Sequence, residues 1–561
     1  MAIYRQYVKA YDAFAGYDDF CEHFRLKEPE RFHFAFDVAD ALARDTPHAT
    51  ALAWASADGE EGRGDPQLSF AQMKALSDRA ANALRALGVG KGDVVLLMLK
   101  NHWEHWPLLL AAHKLGAVAA PTPHQLTAQD IAYRLGRAAQ AMRVAMVIAT
   151  AEDGIPERVE RAVEIACGGG APELLLVRGE RAGWRSYEAA MAGADPHFER
   201  PQGAQAVLAR DPLLLYFTSG TEGMPKMVLH DQLYPLGHIV TAVHWQRVVE
   251  GGLHLAVCDA GGSKSAWGQI YGQWMAGSGV FVWDAGEVLD AAALLKTLAR
   301  RRVNTLCAPP GVYRALLGQE VSAYDLSALS HCTVISEPLH PEIYFQFLEQ
   351  TGLHLHEAYG LAETGVVVGN FAPFGKVQPG SMGRPSPLYD VDVVDAYGNS
   401  CPAGVSGEIV VRTDRGVPAG MFHGYAGGEE ERREAWDGHA FRTGDVVWRD
   451  EWGYYWYVGR ADDVVRSSGY RIGPFEVESA LMEHPGVKEA AVTGAPDPLR
   501  HQIVKAAVVL QPGYQPGEAM VRVLQEHVKR VTAPYKCPRV IDFVDALPRT
   551  GDGKIKRSAL R

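Results

Sequence analysis

The run Thr218-Ser219-Gly220-Thr221-Glu222-Gly223-Met224-Pro225-Lys226 gathers hydroxyls, glycines and a lysine into one short stretch. Gly220 and Gly223 let backbone N–H groups approach an anion closely. Thr218, Ser219 and Thr221 add hydroxyl donors, and Lys226 adds a mobile positive charge. The apolar, β-prone residues 213–217 before it read as a buried strand feeding a tight loop. The result is a phosphate cradle, but not the common nucleoside-triphosphatase loop. Its Gly-to-Lys spacing differs, and Met227 stands where that loop has a magnesium-binding hydroxyl.

Four further stretches carry chemistry. Glu363, in His356-Glu-Ala-Tyr-Gly-Leu-Ala-Glu-Thr-Gly365, follows an aromatic–glycine turn from which a carboxylate can hold a magnesium ion bridging phosphates. Asp445 ends Phe441-Arg-Thr-Gly-Asp445, where a carboxylate can accept from both hydroxyls of a ribose. A charged and glycine-rich segment spans Gly459 to Gly473, and Lys554 sits on the glycine-rich loop 548–556. Each alone fits a surface turn. The five in this order point to nucleotide chemistry.

Elements must hold these residues in place. At 561 residues the chain exceeds one ordinary core. Ser69 with Gln72 predicts a capping box, Leu76, Ala80, Leu84 and Leu87 one helical face, and Gly88 its end. Strand-like Val94–Leu99 precedes a helix over Trp106–Leu115, and Val288, Leu289, Ala292, Leu295 and Leu298 repeat helical spacing before strand-like Val303–Cys307. Such alternation predicts layered α/β sheets, largely parallel. From about Tyr389 the texture turns to short strands, as in Val391–Val394, Gly407–Arg412 and Trp452–Val458, predicting a β-rich subdomain over 389–461. The charged run Glu429–Glu434 reads as a solvated helix face. The expected division is a large domain over 1–461 and a small α+β domain over 462–561.

Together these stretches resemble the adenylate-forming superfamily of acyl-CoA synthetases, luciferases and peptide-synthetase adenylation domains, and Gly469-Tyr-Arg-Ile-Gly-Pro-Phe-Glu-Val-Glu478 is most similar to its medium-chain acyl-CoA synthetase branch. The resemblance runs from about Ser69 to Arg561. It implies that Thr218, Ser219, Gly220, Thr221, Glu222, Gly223, Met224, Pro225 and Lys226 hold the β- and γ-phosphates of ATP. Glu337, Pro338, Glu357, Ala358, Tyr359, Gly360, Leu361 and Ala362 would line the adenine and α-phosphate site, with Glu363 on magnesium and Asp445 and Arg460 on the ribose. Lys554 would bridge the acyl carboxylate and the α-phosphate, making Lys554, Glu363 and Lys226 the catalytic group. Asp462 matches the hinge of a rotating small domain. After rotation Ser468, Gly469 and Tyr470 would line the pantetheine tunnel, with Arg471 near CoA. The co-substrates implied are ATP with Mg2+, coenzyme A and a carboxylic acid, and Lys554 would be a target for a lysine acetyltransferase or deacylase.

Three positions depart from the family pattern: Glu222 in the phosphate loop, Ser336 for glycine before Glu337-Pro338, and Ala362 for threonine before Glu363. In the acyl-binding segment Asp259–Gly268, Trp267 would gate or floor the pocket and Lys264 approach the carboxylate; core packing for one and a surface position for the other fit equally. Gly365 and Val366 would wall the pocket, Val366–Val368 narrowing it, which suits a medium-chain, branched short-chain or simple aromatic acid. Two rivals to an acyl-CoA ligase are an adenylating enzyme with a carrier protein or other acceptor and a non-catalytic nucleotide-binding regulator. The Arg466–Arg471 stretch favours CoA, and a pure binder needs neither Lys554 nor Glu363.

A net charge of −12 excludes a general nucleic-acid or membrane-surface binder. The seven scattered cysteines form no C-x-x-C pair, Met1–Tyr11 lacks a signal-peptide core, and Val94–Leu99 is far short of a membrane span. These features predict a soluble cytoplasmic protein. His102, His105, His354 and His356 are expected to be packed or surface histidines rather than metal ligands.

Overall fold

The computed structural model describes all residues except 1, 10–13, 57–64, 167–169, 219–223, 287–288, 373, 428–434, 468–469 and 550–553, and the side chain of Arg471. The first long helix shows how sequence becomes position. Ser69 N–H donates to Gln72 Oε1 (2.8 Å) and Gln72 N–H to Ser69 Oγ (3.3 Å), starting the helix Phe70–Ala86. Gly88, at φ +90°, turns the chain away from it. Ala80 and Leu84 are buried, and Leu76 and Leu87 half-buried, along the expected face.

Four sheets follow from the alternation. The first runs in the order Arg185–Ser186, Glu173–Val177, Val144–Thr150, Val94–Met98, Val118–Pro121, Pro212–Thr218 and Lys226–Asp231, parallel until its final antiparallel hairpin. The second has nine strands, from Arg384–Pro385 through Val368–Gly369, Leu355–Tyr359, His331–Val334, Thr305–Ala308, Leu253–Ala256, Gly279–Asp284 and Thr50–Ser56 to Gln67–Ser69. Its centre is parallel and its two edges antiparallel. An antiparallel third sheet contains Asp390–Val394, Gly407–Arg412, Ala440–Arg449 and Tyr455–Arg460. Trp452, expected at the start of that last strand, instead lies 69% exposed in the preceding turn. The fourth sheet begins at Val465–Ser467 and is built around the long hairpin Val487–Asp497/His501–Leu510. The run Glu429–Glu434 falls outside the described residues.

Every residue of the helix His105–Leu115 is buried. One core cluster joins this helix to Val95 and Leu97 of the first sheet and to Leu52, Val280 and Val282 of the second. Inside it, Lys114 donates to Asp40 Oδ1 (2.8 Å) and to Asp78, tying three helices together. Lys114→Met would leave two carboxylates facing each other without their shared cation, an expected loss of about 3–5 kcal/mol. A lowered urea midpoint checks this; an unchanged one would mean that Lys74, also paired with Asp78, suffices.

Candidate active site

The hairpin ends with Thr218 opposite Lys226 in register, so both side chains leave the same face at its mouth. Ser219, Gly220, Thr221, Glu222 and Gly223 lie outside the described residues; Met224 and Pro225 lead into the return strand, and Met224 is 61% exposed. Lys226 Nζ stands 5.1 Å over the ring of Tyr425, whose hydroxyl donates to Glu363 Oε1 at 2.8 Å. Tyr425 is held by the bridge Val228↔Tyr425, and Phe422 N–H donates to the Glu363 carbonyl (2.9 Å). Glu363 is buried, which raises its carboxyl above the ordinary range, and Tyr425 pulls it back down.

Asp445 and Arg460 are cross-strand partners in the third sheet, 3.2 Å apart at Oδ1 and Nη1. Tyr359 donates to Asp445 Oδ2 (2.7 Å) and Tyr457 to Oδ1 (3.2 Å). Burial pushes the Asp445 carboxyl up and Arg460 draws it down. Ahead of Tyr359, Ala358 is buried and pairs with Gly369. Buried Glu357 accepts from Leu339 N–H (3.2 Å) and is pushed up to about 8, so the carboxyl is mostly protonated at neutral pH. Glu337, beside Pro338, is raised by burial and drawn back by Arg549, Lys264, Lys554 and Arg314. Lys264 itself is half-buried in the helix Lys264–Gly268.

Ser336, one of the three departures, sits at φ +101°, a region that suits glycine, and its buried Oγ meets no partner. Ser336→Gly should stabilise the protein by about 1 kcal/mol, the relieved strain exceeding the added unfolded-state freedom. A higher urea midpoint is expected; a lower one would show that the side chain is needed. At Ala362, the second departure, the carbonyl accepts from His230 Nε2 (2.7 Å), whose ring stacks on Tyr234 at 3.7 Å.

Trp267, 4% exposed, lies against Gly360: a Cβ there would be 2.4 Å from Trp267 Cη2 and 2.3 Å from the Gly365 carbonyl oxygen. Trp267 is thus packed directly against the Gly360–Gly365 turn. Leu361 N–H bonds Thr364 Oγ1 (3.1 Å), Tyr389 OH meets Gly365 N–H (2.8 Å), and Val366 is buried.

The small domain meets this face through the helix Pro474–Met482, beside the strand Tyr455–Arg460. His340 stacks on Phe475 (4.8 Å) and reaches Ser479 Oγ (3.0 Å), while Glu489 pairs with Arg314 (3.5 Å) and Arg549 (3.0 Å). Asp462 lies in the turn between the third and fourth sheets, its carbonyl accepting from Arg561 at 3.0 Å. Ser468 and Gly469 lie outside the described residues. Tyr470, half-exposed, stacks on Tyr535 at 4.1 Å, and the backbone of Arg471 pairs with Arg466. Tyr425, Tyr457 and His230 escaped the sequence reading, since their places come from long-range pairing rather than from a local pattern. His102 and His105 are buried, and His356 bonds the Asn370 carbonyl (3.2 Å).

A β-hairpin ending at Thr218 and Lys226, a paired aspartate and arginine and a small C-terminal domain bearing Lys554 fit an adenylate-forming enzyme. The chain belongs to the AMP-binding enzyme family: residues 39–426 match the model described as AMP-binding enzyme, and residues 476–554 that of the AMP-binding enzyme C-terminal domain. It is 40% identical to the human mitochondrial acyl-coenzyme A synthetase ACSM5 over 95% of this chain and 90% of that one. Identity with human mitochondrial ACSM3 is 37%, over 98% and 92%. Among solved structures, the anthranilate CoA ligase AuaEII in complex with anthranoyl-AMP superposes with a TM-score of 0.83 at 29% identity, over 95% of this chain and 97% of that one. A benzoate CoA ligase from Burkholderia xenovorans LB400 gives 0.80 at 25%, over 94% and 100%. The protein is an AMP-forming acid–thiol ligase that binds ATP and uses coenzyme A.

The expected cytoplasmic location is corrected by the same comparison, because the ACSM3, ACSM4 and ACSM5 relatives are mitochondrial proteins. Scattered thiols and the lack of a membrane-length helix among the described residues suit any reducing aqueous compartment, so they did not discriminate.

Proposed function

We propose that the acid is a medium-chain, branched short-chain or simple aromatic carboxylic acid, seated between Trp267, Gly365 and Val366. Its carboxylate oxygen attacks the α-phosphorus of ATP and displaces pyrophosphate. The CoA sulfur then attacks the acyl carbonyl, expelling AMP as the thiol proton leaves. Thr218 and Lys226 hold the β- and γ-phosphates, Asp445 and Arg460 the ribose, and the Glu357–Ala362 run flanks the adenine. The first step brings anions together, so fixed cations must absorb the repulsion. Lys554 and Lys264 supply them from different domains.

Glu363 is a hard oxygen donor beside Lys226 and the hairpin mouth, which fits magnesium. The metal would neutralise phosphate charge when bound. Asp462 is the hinge about which the small domain turns to bring Tyr470 and Arg471 to CoA. The observation that supports this reading is geometric: Lys226 lies over Tyr425, whose hydroxyl reaches buried Glu363, on the same face as the Asp445–Arg460 pair. The aromatic option draws further support from the benzoate and anthranilate CoA ligases.

The test is pyrophosphate release with ATP and magnesium over acetate to palmitate, branched acids, benzoate and phenylacetate, with and without CoA. CoA-dependent turnover on a C4–C10 or aromatic acid is expected. Exchange without CoA turnover would move the assignment to another acceptor, and turnover confined to palmitate would sink the pocket.

A further inference from the structure

The two domains meet through charges as well as through the stack of His340 on Phe475. Glu489 lies on the small-domain strand Val487–Asp497, opposite Val509, and its Oε1 accepts from two guanidiniums. One is that of Arg549 in the same domain, at 3.0 Å. The other, at 3.5 Å, is that of Arg314, on the helix Pro310–Leu317 of the large domain. The side chains are 22% exposed at Glu489, 33% at Arg314 and 39% at Arg549, so water screens each contact only in part.

Arg549 stands at the base of the segment 548–556 that carries Lys554. The ends of that segment are joined by the bridge Arg549↔Ile555 and by Lys556 N–H donating to the Pro548 carbonyl (2.8 Å). Fixing the Arg549 side chain therefore fixes the base from which Lys554 extends. Both guanidiniums also draw down the carboxyl of Glu337 in the large domain. Each domain thus contributes one carboxylate and one arginine, Glu489 with Arg549 and Glu337 with Arg314, and opposite charges meet across the seam. An isolated exposed ion pair contributes little, whereas several charges held in one geometry contribute measurably.

We propose that Glu489 is a positioning residue for the first half-reaction: by holding Arg549 and Arg314 together across the domain boundary, it fixes the orientation in which Lys554 faces the acid and the α-phosphate. The inference rests on the turn of the small domain about Asp462 proposed above. Arg549 travels with Glu489 in that turn and Arg314 stays behind, so the contact of Glu489 with Arg314 belongs to one orientation alone. Removing it weakens the adenylation orientation and leaves the CoA orientation as stable as before. The balance between the two shifts by that difference and no more.

The experiment follows both half-reactions in the full chain: pyrophosphate exchange with ATP, magnesium and an acid from the panel above, and AMP release from the matching synthetic acyl-AMP with CoA. Glu489→Gln and Arg314→Met should each slow exchange about fivefold, the upper end for a partly exposed pair. The loss should fall on kcat rather than on the KM for ATP, since the proposed nucleotide contacts of Thr218, Lys226, Asp445 and Arg460 stay in the large domain. AMP release should be unchanged or faster. The double variant should lose less than the product of the two single losses, because one contact can be removed only once. Losses that multiply would overturn the inference, as would equal losses in both half-reactions, which mark a structural role. Exchange undiminished in both single variants would overturn it while leaving the ligase reading intact. Should Glu489→Gln fail to fold, Arg314→Met alone must split the half-reactions, and a missing split overturns the inference. A wild type silent in both assays on every acid would take down the ligase reading and this inference with it.

Discussion

Replacing Lys554 by alanine is expected to slow acyl-adenylate formation by ~10²–10³ while sparing thioester formation from preformed acyl-AMP. The charge of Lys554 reaches half-buried Glu337 in the orientation seen here, and on the proposed reading the carboxylate and the α-phosphate would meet there. On the proposed hinge motion at Asp462 the lysine leaves once the adenylate exists, so the second half-reaction should not need it. Two assays separate the steps: pyrophosphate exchange for the first, and release of AMP from synthetic acyl-AMP with CoA for the second. Equal losses in both would place Lys554 in a structural role. Lys554→Arg keeps the charge but not its point geometry and should recover only part of the exchange rate.

Glu363→Gln should lower adenylation by a similar factor and raise the magnesium concentration needed for half-maximal exchange. A carboxylate must be ionised to hold a cation, and two influences set that state in opposite directions. Burial raises the carboxyl, and the Tyr425 hydroxyl at 2.8 Å lowers it. Tyr425→Phe removes the lowering influence, so Glu363 should ionise only at higher pH and the acid limb of the exchange profile should move up. A loss of about 1.5–3 kcal/mol, the range for a hydrogen bond to a charged group, is expected below that limb and recovers above it. An unmoved profile would show that the hydroxyl matters only for packing.

Local rules carried much of this molecule. The capping box at Ser69, the alternation of strand and helix, and the short strands after Tyr389 all follow from spacing within a few residues, and the fold class follows from them. The strand leading to Thr218 was legible for the same reason, whereas its antiparallel return over Lys226–Asp231 was not. Pairings across the chain were not legible. Nothing near Tyr425 announces that it will meet Glu363, 62 residues away, and nothing in the segment Asp259–Gly268 marks Trp267 as lying on Gly360. Ser336 is a partial case: its departure from glycine was visible, whereas the positive φ that makes it matter belongs to the folded chain.

The wholly buried helix His105–Leu115 bears on how this chain is made as well as on what it does. Both large sheets lean on it, and the core cluster it joins draws residues from each. Neither sheet can complete its interior alone, although together they exceed the size at which chains ordinarily divide into separate cores. The two halves must therefore be won or lost together. Denaturant should melt them in one steep transition, with no half-folded species that keeps the hairpin of Thr218 and Lys226 but lacks the strands around Trp267.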